Sequence, residues 1–206
     1  MHHWREKCFQ VLAEAAKYAS TVPAWADYGR FCELLEKGMR GEAFKHLAVF
    51  ITDAAEWPFS EKRGFVSWLY HFASDREDSF ILMPQPLQKG FLEPALSEWV
   101  ECEPGNSEPH RWLGTHDHLK EAVRLNPADE IARDRLATMV FGWVEYSTHE
   151  LPQGYVGNPE EDLRLLAEVE AVIDGILDQT KRAKYQGVLV GLREEVTSYM
   201  RGRAES

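Results

Sequence analysis

The sequence predicts an all-α protein built of antiparallel helical hairpins, and three observations predict it. Apolar residues recur at three- and four-residue spacing along nearly every segment. Asn-Pro followed by acidic residues, a strong helix-start pattern, occurs at Asn126-Pro127 and again at Asn158-Pro159. Only one short run, Phe80-Ile81-Leu82-Met83, reads as a strand, and no second stretch offers it a partner.

Taken in order, Trp4, Cys8, Val11 or Leu12, Ala15 and Tyr18 line one helix face until Thr21-Val22-Pro23 breaks it. A second helix carries Trp25, Tyr28, Phe31, Cys32 and Leu35 and ends in Gly38-Met39-Arg40-Gly41. A third carries Phe44, Leu47, Phe50 or Ile51, and Ala54, and stops at Trp57-Pro58; Phe65, Trp68, Leu69 and Phe72 mark a fourth. From Asp75 to Pro86 the periodicity fades. That stretch reads as an extended connection packed on the helices, because Pro84 and Pro86 prevent a long helix. A helix around Pro94 to Cys102 and a loop from Glu103 to Ser107 follow.

The stretch Glu108 to Asp129 holds a short amphipathic helix with Leu119, Ala122, Val123 and Leu125 on one face. Asn126 is expected to close it and cap the next, Pro127 to take the first helical position, and Asp129 and Glu130 to suit the positive dipole end. The longest helix is expected from Ala128 to His149, with Ala132, Leu136, Met139, Val140 and Trp143 aligned. A turn-rich loop, Leu151 to Asn158, leads to a helix carrying Leu163, Leu166, Val169 or Glu170, Ile173 and Ile176. The last helix starts near Thr180, with Tyr185, Val188 or Leu189, Leu192, Val196 and Tyr199, and the tail after it is expected to fray.

A chain of 206 residues can bury one sizeable core, so a single helical domain over residues 1–206 is expected. The formal net charge of −11 repels phosphate backbones and anionic lipid surfaces. The densest basic run, Lys181 to Lys184, reads as a solvated helix start. Neither nucleic acid nor membrane is therefore an expected partner. Cys8, Cys32 and Cys102 are widely spaced and form no CxxC, which suits reduced, buried structural thiols. The N-terminal residues lack an apolar signal core, and a cytoplasmic location is the expectation.

Pro23, Pro58, Pro94, Pro127 and Pro159 are separated by 35, 36, 33 and 32 residues, each where a helix could begin. A period of that size suits stacked helical hairpins, while an irregular helical bundle satisfies the same pattern without true repetition. The segment Leu119 to Ala132, with Ala122, Leu125 and Pro127 in an Ala-x-x-Leu-x-Pro pattern, resembles the second helix and junction of tetratricopeptide repeats. Trp99, 28 residues before Pro127, stands where that family's early Trp stands. The family's glycine position after that Trp falls on Glu103, and Arg133 takes the Trp position of the next unit, so the likeness covers one half-repeat. It implies helical hairpins in a right-handed array and a protein-binding role, and it carries over no peptide-binding residue. The longer pattern EPHRWLG, RLNPAD and YSTHELPQGYVGNPEEDL is also similar to a family of uncharacterised bacterial proteins, a likeness that implies no activity.

Several residues could carry chemistry. His110, His116 and His118, with His149 further on, are ligand types for zinc, iron or manganese. Residues two apart on a helix point about 200° apart, so His116 and His118 chelate together only in a turn. No HExxH stands among them. Glu145 with His149, Glu42 with His46 and His71 with Asp75 share helix faces, as solvated pairs usually do. Arg111 and Trp112, with Tyr146, His149, Glu150 and Tyr155, could form a polar, aromatic-lined pocket whose guanidinium takes a carboxylate or phosphate. The alternative for these residues is helix capping around a buried Trp. No Gly-x-Ser-x-Gly, Walker-type or Gly-x-Gly-x-x-Gly motif occurs, and no cofactor is expected.

The expected function is accordingly that of a non-catalytic helical scaffold. Its partner would be a protein or peptide, with a second copy of the chain as one candidate. A metal-dependent enzyme or binder built on His110, His116, His118 and His149 is one alternative. An acidic toxin-neutralising protein of the immunity type is another.

Overall fold

The computed structural model describes residues 6–74 and 76–204; the sequence-based placements of Trp4 and Asp75 lie outside them. The protein is all-α, and among the described residues there is no strand. None of the described helices is long and apolar enough to cross a membrane. The chain divides into two compact units, Met1–Pro104 and Gly105–Ser206.

In the first unit α1 (Glu6–Ala19), α2 (Ala26–Glu36) and α3 (Arg40–Ala55) pack on their chain neighbours, and α4 (Phe59–Ser74) follows. Gly38, at φ 75°, makes the tight turn between α2 and α3 in a conformation that a side chain would strain. The apolar stripes are buried as the periodicity requires: Leu12, Phe31, Leu47, Phe65 and Leu69 are solvent-free and Phe50 nearly so. Aromatic rings dominate this core. Phe50 and Phe65 lie 4.7 Å apart, and Tyr28 meets Phe65 edge-on at 5.0 Å.

The connection after α4 departs from the sequence expectation. Ser79–Leu82 is not extended but a 3₁₀ turn. Its reason is tertiary: the buried Tyr28 hydroxyl donates to the Leu82 carbonyl at 3.0 Å, and the Leu82 side chain is fully buried. Pro94 stands in the first turn of a helix, as expected, but that helix does not start from a loop. A one-turn helix α5 (Gln85–Leu87) runs through a π-helical stretch (Gln88–Leu92) straight into α6 (Glu93–Cys102). The π turn lies where Pro94 has no N–H to offer the Gly90 carbonyl. Gly90 is tight for a second reason, since a Cβ there would stand 3.0 Å from Ile51 Cγ2 of α3. The five evenly spaced prolines therefore mark different kinds of junction.

The second unit consists of α7 (Ser107–Leu113), α8 (His116–Leu125), α9 (Glu130–Thr148), α10 (Pro159–Asp174) and α11 (Gln179–Ala204). The sequence reading missed α7. Asn106 caps it by accepting from the Glu108 N–H at 2.9 Å, and Gly114 ends it at φ 67°. The Thr115 hydroxyl then caps α8 through the His118 N–H.

The cap of α9 is Asp129 rather than Asn126. Asp129 accepts from the Ala132 N–H at 3.0 Å, while Asn126 turns the chain by accepting from Ala128 N–H at 3.1 Å, leaving Pro127 in the turn. At Asn158 the expected cap forms, with one side-chain oxygen accepting from the N–H groups of Glu160 and Glu161 and Pro159 in the first turn. The longest helix is α11, at 26 residues against 19 for α9, and it continues through Ala204 where fraying was expected. Gly202 offers a stop in sequence, but the helix runs through it. The core joins Leu119 with Leu136 and Val140 of α9, Leu166, Val169 and Ile173 of α10, and Leu192 and Val196 of α11. Burying each such aliphatic side chain contributes roughly 1.5–3 kcal/mol.

Candidate functional site

Where α8, α9 and α10 meet in the second unit, the core opens into a recess of about 220 Å³. Its apolar walls are Val123 of α8, Leu136 and Val140 of α9, and Leu165, Val169 and Val172 of α10. The walls recede because these positions carry valine and leucine rather than rings. The rim comes from α8: His116, Lys120 and Arg124 stand four residues apart along one face, opposed by Glu168 of α10.

Every charge on that rim has a partner. Lys120 Nζ lies 2.8 Å from Glu168 Oε2, Arg164 reaches the other Glu168 oxygen at 2.8 Å, and Arg124 forks onto Glu121 at 2.6 and 2.7 Å. The bond from Lys120 holds the Glu168 carboxyl below its ordinary range, and that from Arg124 does the same for Glu121. The imidazole of His116 lies 5.3 Å from the ring of Trp143. The recess thus combines an aliphatic floor with donors and acceptors held at its mouth.

The residues singled out in the sequence fall in three separate places. Arg111 is a structural anchor: its guanidinium meets both Asp129 oxygens at 3.1 and 3.0 Å, with that carboxylate only 1% exposed. Trp112 is buried beside it and its indole N–H donates to Glu108 Oε1 at 3.3 Å. Tyr146 and His149 stack at 5.0 Å near the far end of α9, and His149 Nε2 lies 3.1 Å from Glu150 Oε1. Eighteen residues of helix separate Glu130 from Thr148, about 27 Å at 1.5 Å per residue, which keeps Arg111 away from that cluster. The hydroxyl of Tyr155 donates to the buried Asp162 carboxylate at 2.5 Å and its ring stacks on Tyr199 at 5.0 Å. Burial, and then that carboxylate, raise the Tyr155 pKa.

The histidines divide likewise. His110 and His118 approach Nδ1 to Nδ1 at 2.9 Å across the α7–α8 corner, whereas His116 sits at the recess and His149 at the end of α9. Among the described residues no group of three His, Cys, Asp or Glu side chains is arranged to hold a metal ion. His116 is therefore the one predicted residue at the recess. The sequence signal that could have found the rest is the His116, Lys120, Arg124 spacing opposite a valine-rich stripe.

Fold and site together define an all-α protein of two helical units, one of which carries an apolar recess with a polar mouth. No protein-family model matches the chain, and no curated protein or solved structure does.

Proposed function

We propose that the chain is a non-catalytic helical binding protein, acting in the cytoplasm, whose second unit seats one apolar side chain of a protein or peptide partner. The observation that carries this reading is the recess between α8, α9 and α10: an aliphatic floor with both donors and acceptors at the rim. Peptide main chain offers the matching N–H and C=O groups on either side of an anchoring side chain. The volume suits a residue of leucine or methionine size, whose burial contributes about 1.5–3 kcal/mol. One anchor alone gives weak binding, so further contacts must come from the surface around it.

The test is selection of a random-peptide display library on the purified full-length chain. Recovered sequences should share one aliphatic residue at a fixed position. A synthetic peptide of that consensus should bind by fluorescence polarisation and lose at least about tenfold in affinity to Val172→Trp, whose indole fills the recess, about 1.4 kcal/mol. Circular dichroism confirms that the variant keeps its helix content. Recovered peptides without a shared apolar position, or unchanged binding to folded Val172→Trp, would overturn the reading.

A further inference from the structure

Resting on that anchor-binding reading, we infer that the partner is a basic segment: Lys or Arg stands three to five residues from the apolar anchor and lies on an aromatic, anionic track that leaves the recess along α9. The track begins at His116, which lines the recess and packs its ring against Trp143. Trp143 is 44% exposed and Tyr146, one turn on, 65% exposed. Both stand on a helix whose opposite side is buried in the core. Large exposed rings aligned three apart on such a helix are a binding surface more readily than a solvated one. Tyr146 continues into the stacked His149 and the exposed Glu150.

Beyond the recess mouth, where Lys120 and Arg124 stand, carboxylates predominate along this track. Glu145 and Glu150 stand on the track, and between Leu136 and Leu163 the sequence contains no Lys or Arg. Beyond Glu150 the surface continues into a groove between Leu151-Pro152 and α11, whose lining holds Glu194, Glu195 and Tyr199 with Arg203 as its cation. A carboxylate-flanked pair of rings is the recognised environment for guanidinium or ammonium groups, which stack on the ring face and pair with the acids. The overall charge of −11 would draw such a segment in at a rate that falls with added salt.

The spacing follows from geometry. Val140 at the recess and Glu150 at the end of the track are ten residues apart, about 15 Å along a helix, a span covered by about four or five residues of extended chain.

The experiment uses the library selection on the full-length chain and scores Lys and Arg three to five positions from the shared aliphatic residue. Two synthetic peptides of the consensus are then compared, one with its basic residues and one with Gln in their place. The basic peptide should bind about fivefold more tightly, and Tyr146→Ala and Glu150→Gln should each erase most of that difference while leaving the Gln peptide unaffected. Raised sodium chloride should weaken only the basic peptide. An aliphatic consensus without basic enrichment, or equal losses for both peptides in the two variants, overturns this inference and leaves the anchor reading standing. Peptides lacking any aliphatic consensus overturn both.

Discussion

Asp129 holds the second unit together through two jobs, and removing it separates them. Its carboxylate caps α9 through the Ala132 N–H and receives the Arg111 guanidinium, with the two side chains 1% and 12% exposed. The Arg111 Nη1 serves both Asp129 oxygens, the Arg111 Nε is buried without a hydrogen-bond partner among the described residues, and the charge lies 4.4 Å from the Trp112 ring. In Asp129→Ala the lost cap costs about 1 kcal/mol. The guanidinium left uncompensated in a dry site costs about 3–5 kcal/mol. A loss of about 4–6 kcal/mol is a large share of an ordinary domain's stability, about 5–15 kcal/mol. Asp129→Asn keeps a capping oxygen and loses only the charge, so it should fall about 3 kcal/mol short of wild type. The double variant Arg111→Met, Asp129→Asn removes both charges and should recover part of that loss, giving a coupling energy of about 2 kcal/mol. Urea unfolding followed by far-ultraviolet circular dichroism reads wild type, the two Asp129 variants, Arg111→Met and the double variant. If Asp129→Asn unfolds at the wild-type midpoint, the pair is not the anchor that its burial indicates.

Three further outcomes follow from other sites. Burial, then His118, holds the His110 pKa below its ordinary 6.5, so the fold favours the neutral ring. The stability this provides is complete above 6.5 and is lost as pH falls through the depressed value. With His118, Glu121 and Arg124 as the groups around it, His110→Phe should flatten the fall in urea midpoint between neutral pH and pH 5. Cys32 is buried and its thiol is pushed up to about 12 by desolvation, and Cys8 is also buried, while Cys102 is exposed. Iodoacetamide at mildly alkaline pH should therefore modify Cys102 alone until the chain is denatured, as peptide mass mapping would show. Asn158→Ala frees the N–H groups of Glu160 and Glu161 and should cost about 1 kcal/mol in urea unfolding, with Asn158→Asp close to wild type.

The helices themselves were legible because they obey local rules. Apolar periodicity places α1 to α4, α9 and α10, and Asn158-Pro159-Glu160 starts α10 where that tripeptide says it should. Local rules also mislead where two residues compete for one role. Asn126 and Asp129 are both good caps, and the choice falls to Asp129, whose carboxylate also meets Arg111, eighteen residues away in sequence. Likewise no local pattern shows that Tyr28 will capture the Leu82 carbonyl and coil a stretch that reads as extended.

The candidate site was less visible still. A recess is a shortage of side-chain volume where three helices converge, and each contributes only ordinary valines and leucines that look like core. His116 could be picked out as a polar residue of interest, but its companions there are Lys120, Arg124 and Trp143 rather than His110 and His118. Sequence alone thus determined which segments coil and which faces are apolar, since those depend on neighbours three and four residues away. Which polar groups meet, and where the packed core falls short, depended on residues tens of positions apart, and only the tertiary structure decided them.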